Sequence, residues 1–210
     1  MPERTIEDLL REEYLDLLPE IRLAADHLKA EISYQILPIV RSLRSFERVE
    51  VDMRVKECAS AVESLKRRQD ANSFQPELSG KYTITHLRDL AGVRVLAFPR
   101  SRLNEIDSVL RQAEAFKRWT ADPVLGDSGA TLAFKYFDYC PASSLVRGEY
   151  QIVSILTGLF WKVEHSAIYK PSAELRDVAE KISMQNKAQD VLAAFEEEFE
   201  RLLRARTADG

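Results

Sequence analysis

The sequence predicts an α+β fold: a small mixed β-sheet with helices packed against it and helical arms at both termini. Three observations carry that expectation. In residues 49–56, Val49, Val51, Met53 and Val55 alternate with Glu50, Asp52, Arg54 and Lys56, the period of a strand with one charged face. In residues 148–163 the period changes partway. Glu149, Gln151 and Val153 alternate with Tyr150 and Ile152, and past Ser154 the residues Leu156, Leu159, Phe160 and Val163 recur at helical spacing. Both ends of the chain carry helical periodicity alone. Helices, strand–helix, strand–helix, two strands, helix and terminal helix is an α+β order.

Thr5 is a fair N-cap for the first helix, with Glu7 in its first turn and Asp8 three residues on, a loose capping box. Leu9, Leu10, Leu15 and Leu17 follow, and Pro19 breaks this segment or opens the next. Leu23, Leu28, Ile32, Ile36 and Leu37 predict a long second helix that Pro38 ends or kinks. His27 lies in it with nothing nearby to orient it, and reads as structural. After the strand over 49–56 comes a helix with Ala59, Val62 and Leu65 apolar and Lys66, Arg67 and Arg68 at its end, where cations complement the helix dipole.

Residues 69–81, with Pro76 and Gly80, read as a mobile loop. Gly92 permits a tight passage into a buried strand over 93–98. The next helix is expected over about 102–115, with Leu103, Ile106, Val109 and Leu110 inward. Leu132, Phe134, Tyr136 and Asp138 then alternate as a strand. From Pro171 onward an apolar face runs through Leu175, Val178, Ile182, Val191, Leu192, Phe195, Phe199 and Leu202. Glu196, Glu197, Glu198 and Arg201 to Arg206 are assigned to its solvated side. Terminal helices of this kind offer a surface for a homo-oligomer.

At 210 residues the chain is long enough for one well-buried core. Its net charge of -4 argues against broad, sequence-independent binding to nucleic acid, while leaving room for a local basic pocket. Cys58 and Cys140 lack metal-ligand spacing, and two cysteines in such a chain indicate a reducing compartment. The N-terminus is charged from its third residue, unlike a signal peptide, and no apolar run approaches membrane-spanning length. A cytoplasmic protein is expected.

The chemistry-bearing residues fall into three stretches. Arg54-Val55-Lys56 followed by Ser60, Lys66 and Arg67 sets cations and a hydroxyl near a helix start, which is what a triphosphate needs. Asp89-Leu-Ala-Gly92-Val-Arg94 precedes the buried strand; taken alone, Asp89 reads as a turn residue with a salt bridge to Arg88 or Arg94. In the third stretch a carboxylate, Glu149, and an amide, Gln151, point the same way from one strand, and the following helix carries Trp161, Glu164 and His165.

These stretches resemble the RelA/SpoT-type alarmone synthetases. Glu149, Gln151, Ile152, Trp161, Glu164, His165, Tyr169 and Lys170 match the family's strand–helix signature in order and spacing. The first two stretches match its Arg-x-Lys-x-x-x-Ser and Asp-x-x-Gly-x-Arg elements. The resemblance covers about 49–170 and implies a nucleotidyltransferase-like core there, a helical arm over 1–48 and a C-terminal helix over 171–210. It implies transfer of pyrophosphate from ATP to the ribose 3′-hydroxyl of GTP or GDP. Glu149 would be the catalytic base, and Asp89 with Glu149 would hold Mg2+. Arg54, Lys56, Ser60, Lys66, Arg94, Gln151 and His165 would bind nucleotide.

The chain departs from the pattern on the acceptor side. Val153 stands in place of an Arg and Ser154 in place of a Thr. Under the most natural alignment, which keeps Gly129 as the turn, Ala130 stands in place of the Tyr that stacks on the acceptor guanine. No His follows it. Three readings result: a divergent pyrophosphokinase for a guanine nucleotide, a relative that modifies the tRNA 3′ end, and a decayed scaffold that binds nucleotide or a partner protein.

Overall fold

The computed structural model of the chain describes residues 5–70, 83–126, 129, 131–168 and 184–208. Helix α1 (Ile6–Gln35) starts at Thr5, whose hydroxyl accepts from the Asp8 amide while the Asp8 carboxylate accepts from the Thr5 amide. That is the expected capping box. Pro19 does not break this helix; it lies inside it. A proline there leaves the Leu15 carbonyl without its amide partner. Leu15 is exposed, so that part of the helix is open to water. The second helix predicted from Leu23 onward is therefore the second half of α1. It ends before Pro38, which sits in the first turn of the short α2 (Leu37–Arg41).

Strand β1 (Arg48–Val55) leads into α3 (Cys58–Asp70), whose buried side is Ala61, Val62 and Leu65, while Ala59 is exposed. A 3₁₀ turn (Ile84–His86) precedes β2 (Ala91–Phe98), and α4 (Ser101–Gln112) follows, ending earlier than periodicity predicts. Two short strands, β3 (Thr120–Ala121) and β4 (Val124–Leu125), carry no alternation of their own. Then come β5 (Thr131–Tyr139), β6 (Arg147–Ser154), α5 (Ile155–Ile168) and α6 (Met184–Ala208). The loop expected over 69–81 lies largely outside the described residues, as do Tyr169, Lys170, Leu175, Val178 and Ile182.

The sheet is mixed, in the order β1-β2-β6-β5-β3, with β4 also pairing β5. Strands β1 and β2 are antiparallel, β2 and β6 parallel, β6 and β5 antiparallel. Register gives the sheet two chemically distinct faces, because side chains alternate across a strand. One face aligns Val51, Val95, Ile152 and Phe134, and beside them Met53, Val93, Tyr150 and Tyr136. Helices α1, α3 and α4 cover it with Leu28, Ile32, Leu65, Ile106 and Leu110. Tyr150 is fully buried at its centre, stacked 4.8 Å from Tyr136 and ringed by Phe116 and Trp119.

The other face aligns Asp52, Arg94, Gln151 and Lys135 in one row and Arg54, Gly92, Glu149 and Phe137 in the next. At its far end Leu96, Ala133 and Val153 form a small second core beneath α5. Gly158 lets that helix sit close: a Cβ there would fall 2.3 Å from Leu96 Cδ2.

Helix α6 departs from the expected sides in part: Glu197, Glu198, Arg201, Arg204 and Arg206 are exposed as expected, but its apolar stripe is not buried. Glu196 and Glu200 are buried, while Val191, Phe195, Phe199 and Leu202 are exposed, Phe195 by 55%. For Glu200 the cause lies at the helix beneath. Glu200 accepts from the Ser101 amide at the start of α4, and Glu196 lies against Ser154 and the Leu156 amide at the start of α5. A helix N-terminus leaves amides unsatisfied and favours negative charge, which accounts for Glu200; Glu196 is buried with neither carboxylate oxygen hydrogen-bonded among the described residues. On α5, likewise, Thr157 and Gly158 are buried while Leu159 and Val163 of the expected stripe are exposed.

Candidate functional site

The uncovered part of the polar face holds the site. Position 149 faces the cleft because β6 alternates, and the parallel pairing of β2 with β6 sets Gly92 beside it. Arg54, one strand further, reaches across Gly92. A Cβ at residue 92 would lie 2.9 Å from Arg54 Cγ and 3.0 Å from its Nε. The glycine of this element therefore clears a path for a side chain, where a tight backbone passage was the expectation.

A guanidinium nitrogen of Arg54 lies 3.7 Å from Glu149 Oε1 and 4.0 Å from Asp89 Oδ2. Lys56 Nζ donates to Asp89 Oδ2 at 2.6 Å. Asp89 thus pairs with the two cations of β1 and its end, and with neither Arg88 nor Arg94. Lys56 is fixed from behind, since its amide donates to the Leu90 carbonyl and its carbonyl accepts from the buried Tyr14 hydroxyl of α1. Gln151 Nε2 donates to Glu149 Oε1 at 2.6 Å, and its Oε1 accepts from Arg94 Nε at 3.2 Å. Burial, and then the charge of Arg54, hold the Arg94 guanidinium below its usual range. Its far side faces the Trp161 ring, 5.8 Å from the centroid.

Lys135 completes the ring around Glu149, with Nζ 3.0 Å from Oε2. The sequence reading missed it. The signal was a single charge among Ala133, Lys135 and Phe137, the positions between the alternating Leu132, Phe134 and Tyr136. Only the antiparallel pairing of β5 with β6 tells that it faces Gln151 and Glu149.

The fold thus brings together Arg54, Lys56, Asp89, Arg94, Glu149 and Gln151. Ser60 is exposed in the first turn of α3, its hydroxyl without a hydrogen bond among the described residues. Lys66 points to Glu7 of α1 and pairs with it. The side chain of His165 and the whole of Ala130 lie outside the described residues. Gly129 keeps its turn, with φ of 79° and its amide donating to the Gly126 carbonyl.

The donor set suits a hard divalent cation. Asp89 Oδ1 is buried with no hydrogen-bond partner, and a second carboxylate stands across the same guanidinium. Oxygen ligands with one or two carboxylates are what magnesium takes when substrate phosphates supply the rest. Among the described residues no group of three or more His, Cys, Asp or Glu side chains forms a self-sufficient metal cage.

The chain is thus a mixed sheet with α1, α3 and α4 on one face and, on the uncovered part of the other, a carboxylate pair among cations. More narrowly, the chain has the fold of the small alarmone synthetases. It superposes on small alarmone synthetase 1 from Bacillus subtilis with a TM-score of 0.64 at 19% identity, covering 92% of this chain and 99% of that one. The same synthetase bound to its product pppGpp gives the same values. A GTP pyrophosphokinase family protein from Streptococcus pneumoniae gives 0.61 at 18%, covering 94% of this chain and 98% of that one. No family model and no curated protein matches the sequence. Among the described residues no helix is long and apolar enough to cross a membrane.

Proposed function

We propose that the chain is a divergent pyrophosphokinase that moves pyrophosphate from ATP to the 3′-hydroxyl of GTP or GDP, giving guanosine penta- or tetraphosphate in the cytoplasm. The observation that carries this reading is the meeting of Asp89 and Glu149 at one Arg54 guanidinium, with Lys56 on the first carboxylate. An unused scaffold has no need to hold two carboxylates and two cations on an open face.

The 3′-oxygen attacks the β-phosphorus of ATP. The bond from that phosphorus to the bridging oxygen breaks, AMP leaves, and the hydroxyl proton passes to Glu149. Such a step rests on positioning, charge neutralisation and a base. Glu149 is held for this by Gln151 and Lys135. Arg54, Lys56 and Arg94 neutralise donor phosphates. Asp89 and Glu149 would hold Mg2+, which supplies further charge neutralisation on the phosphates. The proposal includes self-association through the terminal helices, since α6 turns Val191, Phe195, Phe199 and Leu202 to solvent.

Small alarmone synthetase 1 from Bacillus subtilis has been solved bound to its product pppGpp and, separately, to AMPCPP, which supports this reading. Calorimetric titration with ATP in magnesium, on wild type and Arg54→Ala, tests the reading. ATP binding that weakens about tenfold or more in the variant supports it. Absence of ATP binding by wild type refutes it.

A further inference from the structure

The strand order separates two sets of cations. Arg54 and Lys56 lie with Asp89 on the β1 side of Glu149. On the opposite side, along β5, the same face carries Lys135, Phe137 and Tyr139, paired across to Gln151, Glu149 and Arg147. Two planar cations already lie on these rings. The Arg88 guanidinium sits 4.8 Å from the Phe137 centroid, and that of Arg147 sits 4.7 Å from Tyr139 while donating to its hydroxyl at 3.0 Å. Arg88 and Tyr139 are exposed, and Phe137, Lys135 and Arg147 are half-buried. A ring face that takes a planar guanidinium takes another flat group once the exposed Arg88 side chain swings aside, and aromatic rings interleaved with cations suit a nucleotide.

The other directions from Glu149 on this face are accounted for. Arg54, Lys56 and Asp89, the groups proposed for the donor, stand on the β1 side. Val153 is fully buried with Leu96 and Ala133 beneath α5, so position 153 presents neither charge nor space to a ligand. Tyr136, the aromatic beside them in sequence, is stacked in the core and donates to Asp107. A group transfer to a hydroxyl at Glu149 needs its two substrates on opposite sides of that carboxylate. With the donor on β1, the acceptor falls on β5.

We propose that the β5 rim is the acceptor subsite, in which Phe137 stacks the acceptor's base and Lys135 neutralises its phosphate, in place of groups that Ala130 and Val153 cannot supply. This rests on the pyrophosphokinase reading and names the half of the site that sequence left blank. Arg88 and Arg147 border the subsite. The ligand chemistry is a nucleotide with a free 3′-hydroxyl, and two sources fit it: a free guanine nucleotide or the last nucleotide of an RNA strand.

The test is calorimetric titration of wild type, Phe137→Ala, Lys135→Gln and Arg88→Ala with three probes. These are ATP, GTP, and a short single-stranded RNA ending in a 3′-hydroxyl. Arg88 is exposed, so its variant keeps the test open should a strand variant fail to fold. The proposal predicts that Phe137→Ala and Arg88→Ala weaken binding of GTP or of the RNA about tenfold or more while ATP affinity stays within about twofold, and that Lys135→Gln, which also releases Glu149, weakens acceptor binding more than ATP binding. Loss confined to GTP assigns the free nucleotide, and loss confined to RNA assigns the strand end; either supports the subsite. Acceptor affinity unchanged in folded variants overturns it, as does an equal fall in ATP affinity, which would make the rim part of the donor site. Wild type that binds ATP but neither acceptor also overturns it. Wild type that binds no ATP removes the pyrophosphokinase reading itself.

Discussion

Arg54 crosses Gly92 to bring its guanidinium 3.7 Å from Glu149 Oε1, tying the edge strand of the sheet to a carboxylate two strands away. The contact exists because residue 92 has no side chain. Gly92→Ala would set a methyl group 2.9 Å from Arg54 Cγ, and the flexible side chain would yield before the sheet does. The expected result is an ATP affinity lower by about tenfold, the scale of one lost charge-assisted contact, with thermal melting little changed. Calorimetry beside a melting curve checks both halves.

Glu149→Gln keeps the side chain's shape and its place beside Gln151. It should lower any pyrophosphate transfer by about a hundredfold or more, with the fold intact. Near wild-type turnover in the purified variant would remove Glu149 from the mechanism.

How far the sequence foretold this site depended on sequence distance. The alternation of Glu149 and Gln151 against Tyr150 and Ile152 is local, as is the Thr5 capping box, and both were legible. The neighbours of Glu149 were not. Lys135 reaches it through an antiparallel pairing, Arg54 through two strand pairings, and neither register is written in any short window. Helix α6 misled for a related reason. Hydrophobic periodicity assigns Glu196 outward, and nothing local to the helix tells that Glu196 is buried or that Glu200 reaches the Ser101 amide at the start of α4.

Val153→Arg would place a guanidinium in the fully buried cluster of Leu96 and Ala133, under the close approach of α5 at Gly158. The charge finds no described partner there, and the expected cost is about 3–5 kcal/mol of stability. Restoring the Arg of the resembled pattern therefore fails to rebuild an acceptor site. Urea unfolding of the variant measures the loss; wild-type stability with improved guanine-nucleotide binding would contradict this packing.

Glu196 supplies a pH dependence. Burial raises its pKa, opposed by Ser154, Arg100 and the Leu156 amide nearby. A carboxyl raised on folding holds its proton more tightly in the native state, so stability falls as pH rises from the unfolded value through the folded one. Glu196→Gln removes that dependence. It should raise the melting temperature at pH 8, with a smaller gain or none at pH 4. An equal gain at both values would show that Glu196 titrates alike in both states.

Pyrophosphate transfer by the carboxylates and cations gathered at Arg54 can be followed directly. The direct measurement follows ATP labelled at the β-phosphate, incubated with magnesium and GTP, GDP or a 3′-hydroxyl RNA, with products separated by charge. AMP release matched by label on one acceptor is expected, both lost in Glu149→Gln and Asp89→Asn. Bound ATP that yields no AMP with any acceptor, or transfer that survives in both variants, would contradict it.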